Sequence, residues 1–389
     1  MKNKIKLLNK IASCGTDVFD KDRYEIGEDI TDPDAIMVRS AVMHDMELGA
    51  NLKAVARAGA GVNNIPLEKC AENGIVVFNT PGANANGVKE LVICGMLLAC
   101  RDVVGGIEWV KTIAGDENTA KLVEKGKSAF AGTELAGKTL GIIGLGAIGA
   151  NVANAALSLG MDVYGYDPFL SVHSALQLSR AVNVVKSLDD IYKNCDYITI
   201  HIPYIPEENK GFINAGVIRR MKDGAVLINL ARGELVNNAD VVKATENGKL
   251  YRYVTDFPAE ELIGAKNVIC TPHLGASTEE AEENCAAMAA RELIEYIENG
   301  NITNSVNYPN CSMPRTGACR LVVLHKNANN LLAQITAAVA SEGVNIANLT
   351  NQSRGDYAVT IIDADSLVSE DAVCRISEIK DVIRVRTII

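Results

Sequence analysis

Three charged side chains in the middle of the chain have the chemistry of an acid–base site. They are Arg232 in "NLARGE", Glu260 in "DFPAEE" and His273 in "TPHLG". Histidine titrates near neutrality and can take the proton of a substrate hydroxyl. A neighbouring carboxylate would orient the imidazole, and the guanidinium fork would bind a substrate carboxylate through two hydrogen bonds. Each residue alone would fit a structural role, but together they predict a site that oxidises an alcohol carrying a carboxylate.

A glycine-rich segment upstream predicts the electron acceptor of such a reaction. A strand-like stretch, residues 139–143, leads into "GLGAIG", and a helical pattern follows. In a dinucleotide-binding turn the first glycine makes the turn, the second admits the pyrophosphate, and the third lets helix and strand pack closely. The next strand ends at an aspartate that would bind the ribose hydroxyls and repel a 2′-phosphate, which favours NAD over NADP. The predicted NAD contacts here are Gly144, Gly146, Ala147, Ile148, Gly149 and Asp167.

Further candidate residues follow the ends of neighbouring strand segments. His201 and Pro203 follow the segment 197–200, and Asp256 follows the segment 252–255. Ligands of open parallel sheets bind beyond the carboxyl ends of the strands. We therefore add these three residues to the predicted cofactor contacts, and the shared edge predicts a single site.

The elements that must position these residues are short apolar segments alternating with longer helical ones. This alternation is typical of βα units on a parallel sheet, so the predicted fold class is α/β. Helices are predicted at residues 88–104 and 279–299. Strands are predicted at residues 5–8, 35–38, 54–56, 76–78, 139–143, 162–166, 197–200, 225–229, 252–255 and 268–270.

The C-terminal part of the chain has a different pattern. Residues 301–317 are rich in asparagine and proline and show little periodicity, which predicts a linker. Strand and helix patterns then follow in the order βαββαβ, which is ferredoxin-like. These elements are predicted at residues 320–324, 331–342, 344–351, 357–363, 369–379 and 382–387.

Composition excludes several classes of protein. The formal charge of −10, without a cluster of Lys or Arg, argues against a nucleic-acid partner. The longest apolar run, residues 91–100, is about half of what spans a bilayer, and no export signal follows the N-terminus. The ten cysteines lack CxxC pairs and zinc-site spacing, so we expect no metal. We therefore expect a cytoplasmic protein without a membrane partner.

The motifs "GLGAIG", "NLARGELV", "DFPAEE" and "TPHLGAST" occur in this order, and residues 1–310 resemble the D-isomer-specific 2-hydroxyacid dehydrogenases. The resemblance implies a Rossmann-like doubly wound NAD-binding domain inserted in a flavodoxin-like substrate domain, which the helix from Glu279 rejoins. It also implies that Arg232 orients the substrate, that His273 is the acid–base residue, and that a glutamate upstream is its partner.

The segment "DFPAEE" is one residue shorter than the family's pattern. Alignment on Phe-Pro makes Glu260 the partner of the histidine and leaves Thr255 where the family has an aspartate. Alignment on Asp256 makes the partner Glu261. We favour Glu260, and the same shift leaves open whether Asp256 contacts the nicotinamide amide.

Two arginines of the N-terminal third stand at predicted strand ends, in "MVRSAV" and "VARAGAGV". They suit an anionic substrate group, or else form surface ion pairs. These segments, with "FNTPGANANGVKELV" and "GTELAGK", are similar to the branch of the family that acts on D-3-phosphoglycerate, which implies NAD-dependent oxidation to 3-phosphohydroxypyruvate, the first step of L-serine biosynthesis. The implied substrate-binding residues are Arg39, Ser40, Arg57, Gly59, Ala60, Gly61, Asn84 and Lys127.

Two other functions stay open at this level. A dehydrogenase for another D-2-hydroxy acid, such as glycerate or lactate, would not need Arg39 and Arg57 together. A protein that only senses NAD would resemble the family's transcriptional corepressors. The combination of Arg232, Glu260 and His273 favours catalysis.

Residues 319–389 resemble the ACT regulatory domain, which in these dehydrogenases pairs across subunits and binds L-serine. His325, Asn327 and Asn345 match positions that bind the amino acid, whereas Asn329-Asn330 replace the usual Pro-Gly. The resemblance implies L-serine as an effector and a homodimer or homotetramer. The predicted domains are a substrate domain at 1–93 and 283–308, an NAD-binding domain at 94–282, a linker at 309–318 and an ACT domain at 319–389.

Overall fold

A computed structural model describes residues 2–389 of the chain. It contains two compact units: unit 1 comprises Met1–Asn84 and Glu279–Ile389, and unit 2 comprises Ala85–Thr278. The strands are β1 (Asn3–Leu7), β2 (Tyr24–Gly27), β3 (Ala35–Val38), β4 (Ala54–Arg57), β5 (Val76–Phe78), β6 (Thr139–Ile143), β7 (Asp162–Tyr166), β8 (Asn183–Val184), β9 (Tyr197–Ile200), β10 (Ala225–Asn229), β11 (Leu250–Thr255), β12 (Val268–Cys270), β13 (Cys319–Lys326), β14 (Ile346–Arg354), β15 (Tyr357–Ala364) and β16 (Val382–Ile388).

The α-helices cover the faces of these strands. No helix in residues 2–389 combines the length and the apolar character that crossing a membrane requires. The helices are α1 (Ser13–Thr16), α2 (Leu67–Glu72), α3 (Ala85–Cys100), α4 (Val103–Thr112), α5 (Thr119–Gly126), α6 (Ala147–Ser158), α7 (Val172–Gln177), α8 (Leu188–Asn194), α9 (Ala215–Arg220), α10 (Asn238–Glu246), α11 (Glu279–Asn299), α12 (Leu331–Ala340) and α13 (Glu370–Glu378).

Every predicted strand is present, although some ends differ by up to three residues, and the short strands β2 and β8 were not predicted. The prediction of one helix over residues 88–104 was wrong. Helix α3 ends at Cys100 and α4 begins at Val103, because the Asp102 side chain caps α4 by accepting a hydrogen bond from Gly105 N at 3.2 Å. An N-cap residue has non-helical backbone and therefore separates the two helices.

The sheet of unit 2 has seven strands in the order β12-β11-β10-β9-β6-β7-β8, and all neighbouring strands pair in parallel. Counted from β6, this is the strand order of a doubly wound dinucleotide-binding fold, with the reversal between β6 and β9. Strands β9 and β10 are buried along their whole length, as expected when helices cover both faces. The predicted Rossmann-like architecture is confirmed.

The first sheet of unit 1 has the parallel order β2-β1-β3-β4-β5, which is flavodoxin-like. Helix α11 packs against β3, β4 and α1. Its small side chains permit this close packing: a Cβ at Gly15 of α1 would lie 2.6 Å from the Cβ of Ala286. The alanine-rich face of α11 thus forms part of the core beneath this sheet.

The C-terminal part of unit 1 is a four-stranded antiparallel sheet in the order β14-β15-β13-β16, and the predicted βαββαβ order is confirmed. A fully buried ion pair links β13 to β15, and its arginine also bonds to the end of α11. Arg320 donates to both carboxylate oxygens of Asp363, at 2.6 and 2.8 Å, and to Asn299 O at 2.8 Å. Removing one partner of such a pair leaves a buried charge unpaired, which is strongly destabilising.

Residues 301–317, predicted as a linker, pack against the rest of unit 1. Tyr308 is fully buried, and its hydroxyl donates to Ala71 O at 2.6 Å. Ile302 and Cys311 form an isolated β-bridge. The domain boundaries derived from the sequence stay predictions.

One carboxyl group is buried in α11. Glu292 is 5% exposed, its Oε1 accepts a hydrogen bond from Asn304 Nδ2 at 2.8 Å, and its Oε2 has no hydrogen-bond partner among the described residues. Burial raises the pKa of Glu292 to about 8, and the Asn304 hydrogen bond opposes this shift. The group is therefore protonated in the folded protein at neutral pH.

We predict that Glu292→Gln stabilises the protein in a pH-dependent way. The pKa of Glu292 is raised on folding, so its contribution to stability is intact below the ordinary value of 4.5 and falls as pH rises toward about 8. The free energy of unfolding of the variant should exceed that of the wild type by a difference that grows over this range, to a few kcal/mol at most. Urea unfolding across the range measures it.

Glu280→Gln is the matched control, since Glu280 is exposed at the start of the same helix. It should show no such trend. A difference for Glu292→Gln that is constant across the pH range would contradict the prediction.

Candidate active site

The glycine-rich turn after β6 has the geometry expected of a dinucleotide-binding loop. Gly144 has φ of +94°, and a Cβ there would lie 2.5 Å from His201 O. A Cβ at Gly149 would lie 1.9 Å from Gly144 O, whereas one at Gly146 would meet nothing within 4 Å. Gly144 and Gly149 are thus required by close packing, and the backbone at Gly146 is open to a ligand.

The residues around this turn fit an NAD molecule. Ala147 and Ile148 begin the twelve-residue helix α6, whose N-cap Gly146 provides no side-chain cap, so the N–H groups of the first turn can receive a pyrophosphate. Asp167 follows β7; its carboxylate accepts hydrogen bonds from Leu145 N at 2.9 Å and Phe169 N at 2.8 Å. The carboxylate therefore lies beside the glycine turn and keeps lone pairs for ribose hydroxyls.

His201 and Pro203 follow β9 at the same edge of the sheet. His201 Nε2 lies 3.0 Å from Thr199 Oγ1, and its Nδ1 is buried without a hydrogen-bond partner in the described part of the chain. Burial lowers the pKa of His201 to about 4, so the imidazole is neutral at physiological pH. Pro203 is exposed.

Arg232 lies in the loop that follows β10, and the buried Asn229 at the end of that strand holds the loop. Asn229 Nδ2 donates to Arg232 O at 2.8 Å, and its Oδ1 accepts from Ala231 N at 3.2 Å. The guanidinium donates to Ala231 O at 2.7 Å and forms no ion pair within residues 2–389. Its other donors are therefore available to a substrate carboxylate.

His273 lies in the loop that follows β12, and its side chain is exposed. Its backbone is left-handed, with φ of +56°, and its N–H donates to Asp256 O and Thr271 O, both at 3.1 Å. The Phe257 ring packs against the imidazole edge to face, with centroids 4.9 Å apart. The imidazole thus has an apolar neighbour on one side and solvent on the other.

Asp256 makes hydrogen bonds that sequence reasoning missed. It is 1% exposed, and its carboxylate accepts hydrogen bonds from Thr271 Oγ1, Leu274 N and Gly275 N, each at 2.7 Å. The sequence did contain a signal for these contacts. An aspartate follows one strand, and a threonine and a glycine follow the next strand along the chain. The predicted contact of Asp256 with the nicotinamide amide stays a prediction.

Neither candidate glutamate is hydrogen-bonded to His273 among the described residues. Glu261 accepts a hydrogen bond from Asn238 Nδ2 at 3.2 Å, and hydrogen bonds from its own backbone N–H and from Asn238 lower its pKa. Glu260 is exposed. Glu261 is thus committed to another partner, which favours Glu260 for the role.

The candidate substrate residues of unit 1 follow β3 and β4 of the parallel sheet. Asn9 Oδ1 accepts from the backbone N–H groups of Arg39 at 3.3 Å and Ser40 at 3.1 Å, which fixes the turn after β3. Arg39 Nη2 forms an ion pair with Glu282 at 2.5 Å. Arg57 Nε donates to Arg39 O at 3.0 Å. The two arginines are therefore neighbours, and a carboxylate partly balances their charge.

The turn after β4 contains the three small candidate residues. Gly59 has φ of +154°, and a Cβ there would lie 2.6 Å from Arg57 Nη1. Ala60 O accepts a hydrogen bond from Asn79 Nδ2 at 2.6 Å, and Gly61 follows in the same turn. Glycine at 59 thus leaves room for the Arg57 guanidinium.

The two remaining substrate candidates lie elsewhere in the sequence. Asn84 is partly buried at the end of the first segment of unit 1. Lys127 lies in unit 2, in the short 3-10 helix Lys127–Phe130, where it is 63% exposed and pairs with Glu124 at 2.5 Å. An exposed pair one helical turn apart is typical of a solvated surface.

The three regulatory candidates do not lie together within one chain. His325 is buried; its Nδ1 lies 2.8 Å from Lys326 O and its Nε2 2.8 Å from Thr360 Oγ1, and burial lowers its pKa. Asn327 donates to Gly355 O at 3.1 Å. Asn345 donates to Asp365 and precedes β14, at the opposite end of the antiparallel sheet from His325.

Comparison with known proteins identifies the relatives of this chain. Residues 94–275 match the family described as "D-isomer specific 2-hydroxyacid dehydrogenase, NAD binding domain". The D-3-phosphoglycerate dehydrogenase of Haemophilus influenzae is 34% identical over 94% of this chain and 89% of its own length. The hydroxypyruvate reductase of Thermotoga maritima is 38% identical over 71% of this chain and 87% of its own length.

The solved structures agree. The NAD+-bound 3-phosphoglycerate dehydrogenase of Entamoeba histolytica superimposes with a TM-score of 0.62 at 28% identity, covering 79% of this chain and 99% of that one. Fold, sequence identity and domain match therefore lead to the same conclusion as the motifs: the chain belongs to the D-isomer-specific 2-hydroxyacid dehydrogenases and carries their NAD-binding domain.

Proposed function

We propose that this protein oxidises D-3-phosphoglycerate to 3-phosphohydroxypyruvate with NAD, the first step of L-serine biosynthesis. The observation that carries the proposal is the presence of Arg232 and His273 at the carboxyl edge of the NAD-binding sheet, in a chain 34% identical to a D-3-phosphoglycerate dehydrogenase. NAD, when bound, would supply the acceptor for the hydride that leaves C2 of the substrate. The residues of this chain manage the proton and the charges.

In unit 2, His273 takes the proton of the C2 hydroxyl as the C2–O bond becomes a carbonyl. Arg232 binds the substrate carboxylate through the donors that the protein leaves available. Glu260, which is exposed and uncommitted, orients the imidazole once substrate is bound. The glycine turn from Gly144 holds the pyrophosphate, and Asp167 holds the ribose and selects NAD.

In unit 1, Arg39 and Arg57 bind the phosphate group. They are neighbours, since Arg57 Nε donates to Arg39 O, and two guanidinium forks suit a dianion. Ser40 and the turn Gly59–Gly61 add hydroxyl and backbone donors. Asn84 is proposed as a further substrate contact, and Lys127 is a weaker candidate for the phosphate.

A second candidate substrate class is a non-phosphorylated D-2-hydroxy acid. The ion pair between Arg39 and Glu282 favours it, because the glutamate already balances one of the two positive charges. The identity with the hydroxypyruvate reductase of Thermotoga maritima also supports it.

Assembly and regulation complete the proposal. Helix α4 has no buried residue, and Val104, Ile107 and Val110 are each more than half exposed, which supports a homodimer that covers this face.

The βαββαβ part is proposed to be an ACT domain that binds L-serine where two copies meet, since His325 and Asn345 lie at opposite ends of one sheet. The protein is proposed to act in the cytoplasm, on a small-molecule substrate alone.

The first test compares NAD reduction at 340 nm with D-3-phosphoglycerate, D-glycerate and D-lactate, each with and without L-serine. We expect turnover of the phosphorylated acid, inhibition by serine, and a loss of kcat of about 100-fold or more in His273→Gln. Turnover of only the non-phosphorylated acids would refute the proposed substrate and leave the mechanism standing. Near-normal turnover by His273→Gln would refute the acid–base role.

Asp167→Ala should weaken the binding of NAD. It should also reduce the ratio by which the protein binds NAD more tightly than NADP. The carboxylate lies beside the pyrophosphate turn, where it would accept hydrogen bonds from the ribose and repel a 2′-phosphate. Fluorescence titration with each dinucleotide measures both constants, and Asp162→Ala, at the exposed start of the same strand, is the control. An unchanged ratio of the two constants would remove Asp167 from the site.

Arg39→Ala and Glu282→Gln should shift the Michaelis constant for D-3-phosphoglycerate in opposite directions. Loss of the guanidinium should raise it by about tenfold or more, and loss of the competing carboxylate should lower it. The dephosphorylated analogue D-glycerate should respond weakly to both variants. If the Michaelis constants of the two acids changed equally, Arg39 would have only the structural role of an ion-pair partner.

A further inference from the structure

The loop that carries His273 has a backbone conformation that must be held by its surroundings. The φ of +56° at His273 lies in the left-handed region, which residues with a β-carbon rarely adopt. The imidazole is exposed apart from its edge contact with the Phe257 ring, so the hydrogen bonds of the loop backbone must supply most of the constraint. Such a conformation persists only where neighbouring contacts over-determine it.

The Asp256 carboxylate supplies those contacts. Its Oδ1 accepts hydrogen bonds from Thr271 Oγ1, before the histidine, and from Leu274 N, after it, both at 2.7 Å. Its Oδ2 accepts from Gly275 N at 2.7 Å. The carboxylate therefore binds the loop on both sides of His273, and the backbone carbonyl of Asp256 accepts from His273 N at 3.1 Å.

The carboxylate that accepts these hydrogen bonds is shielded from water. Asp256 is 1% exposed, and Gly275 is buried beside it. A Cβ at Gly275 would lie 3.1 Å from Asp256 Oδ2, so a larger residue would disturb the contact. Hydrogen bonds to a carboxylate shielded from bulk water are stronger than those at a surface.

We infer that Asp256 is the positioning residue of the catalytic histidine: it fixes residues 271–275 and thereby places the imidazole of His273. The Asp256 carboxylate accepts three hydrogen bonds from this loop. It therefore has little remaining capacity to accept one from a nicotinamide amide. The inference rests on the proposed function only in taking His273 as the acid–base residue.

The first experiment needs neither substrate nor NAD. The imidazole signals of the five histidines are recorded by ¹H–¹³C NMR on labelled protein, and His273→Gln identifies the signal of His273. In Asp256→Asn the amide group places a donor against the Gly275 N–H. The His273 signal should move and broaden, while the other signals keep their positions; an unmoved, equally sharp His273 signal would overturn the inference.

The second experiment separates positioning from cofactor binding. Asp256→Asn should lower kcat by about tenfold to 100-fold and change the NAD dissociation constant by less than about threefold. A raised NAD constant with an unchanged kcat would instead assign Asp256 to the nicotinamide and overturn the inference. Asp162→Asn, exposed in the same unit, controls for the loss of one negative charge.

Thr271 provides a milder pair of variants in case Asp256→Asn does not fold. Thr271→Val removes the hydroxyl that donates to Asp256 and should move the His273 signal in the same direction by a smaller amount. Thr271→Ser keeps the hydroxyl, so its His273 signal should lie closer to the wild-type position. Equal spectra for Thr271→Val and Thr271→Ser would overturn the inference, and a wild type inactive on every hydroxy acid would refute the proposed function without affecting this comparison.

Discussion

The parallel run of the strands in unit 2 is the constraint on which the candidate site depends. Because β6, β7, β9, β10, β11 and β12 all point the same way, the residues that follow them reach one edge of the sheet. The glycine turn, the aspartate proposed to bind the ribose, the arginine and the histidine each follow a different strand. One antiparallel strand in this sheet would have moved its terminal residue to the opposite edge.

The features that the sequence predicted well are those set by local chemistry. Gly144 has positive φ and Gly149 has no room for a Cβ, so the glycine spacing is a direct record of the backbone geometry. Strands β9 and β10 are buried along their whole length. A short, uninterrupted apolar run in the sequence identifies a strand of this kind. The break between α3 and α4 was missed because apolar periodicity continues through Asp102, whose capping bond depends on side-chain geometry.

The features that the sequence did not predict depend on pairs that are distant along the chain. Arg39 and Glu282 are 243 residues apart, and Arg320 and Asp363 are 43 apart. A charged residue in a sequence shows its chemistry but not its partner, so an arginine of a buried pair and one at a substrate site look alike. The same limit hid the hydrogen bonds of Asp256, whose carboxylate accepts from a loop 15 to 19 residues away.

Asp256 and Glu260 are both proposed to act on His273, and the difference between their roles follows from their burial. Asp256 is buried and its carboxylate accepts three hydrogen bonds from the loop, so it fixes where the imidazole is. Glu260 is exposed and has no hydrogen-bond partner among the described residues, so it can set the orientation of the ring only when substrate has excluded water. A buried glutamate in the second role would require a fixed partner or a raised pKa, as the buried Glu292 shows. The exposure of Glu260 therefore suits the role proposed for it.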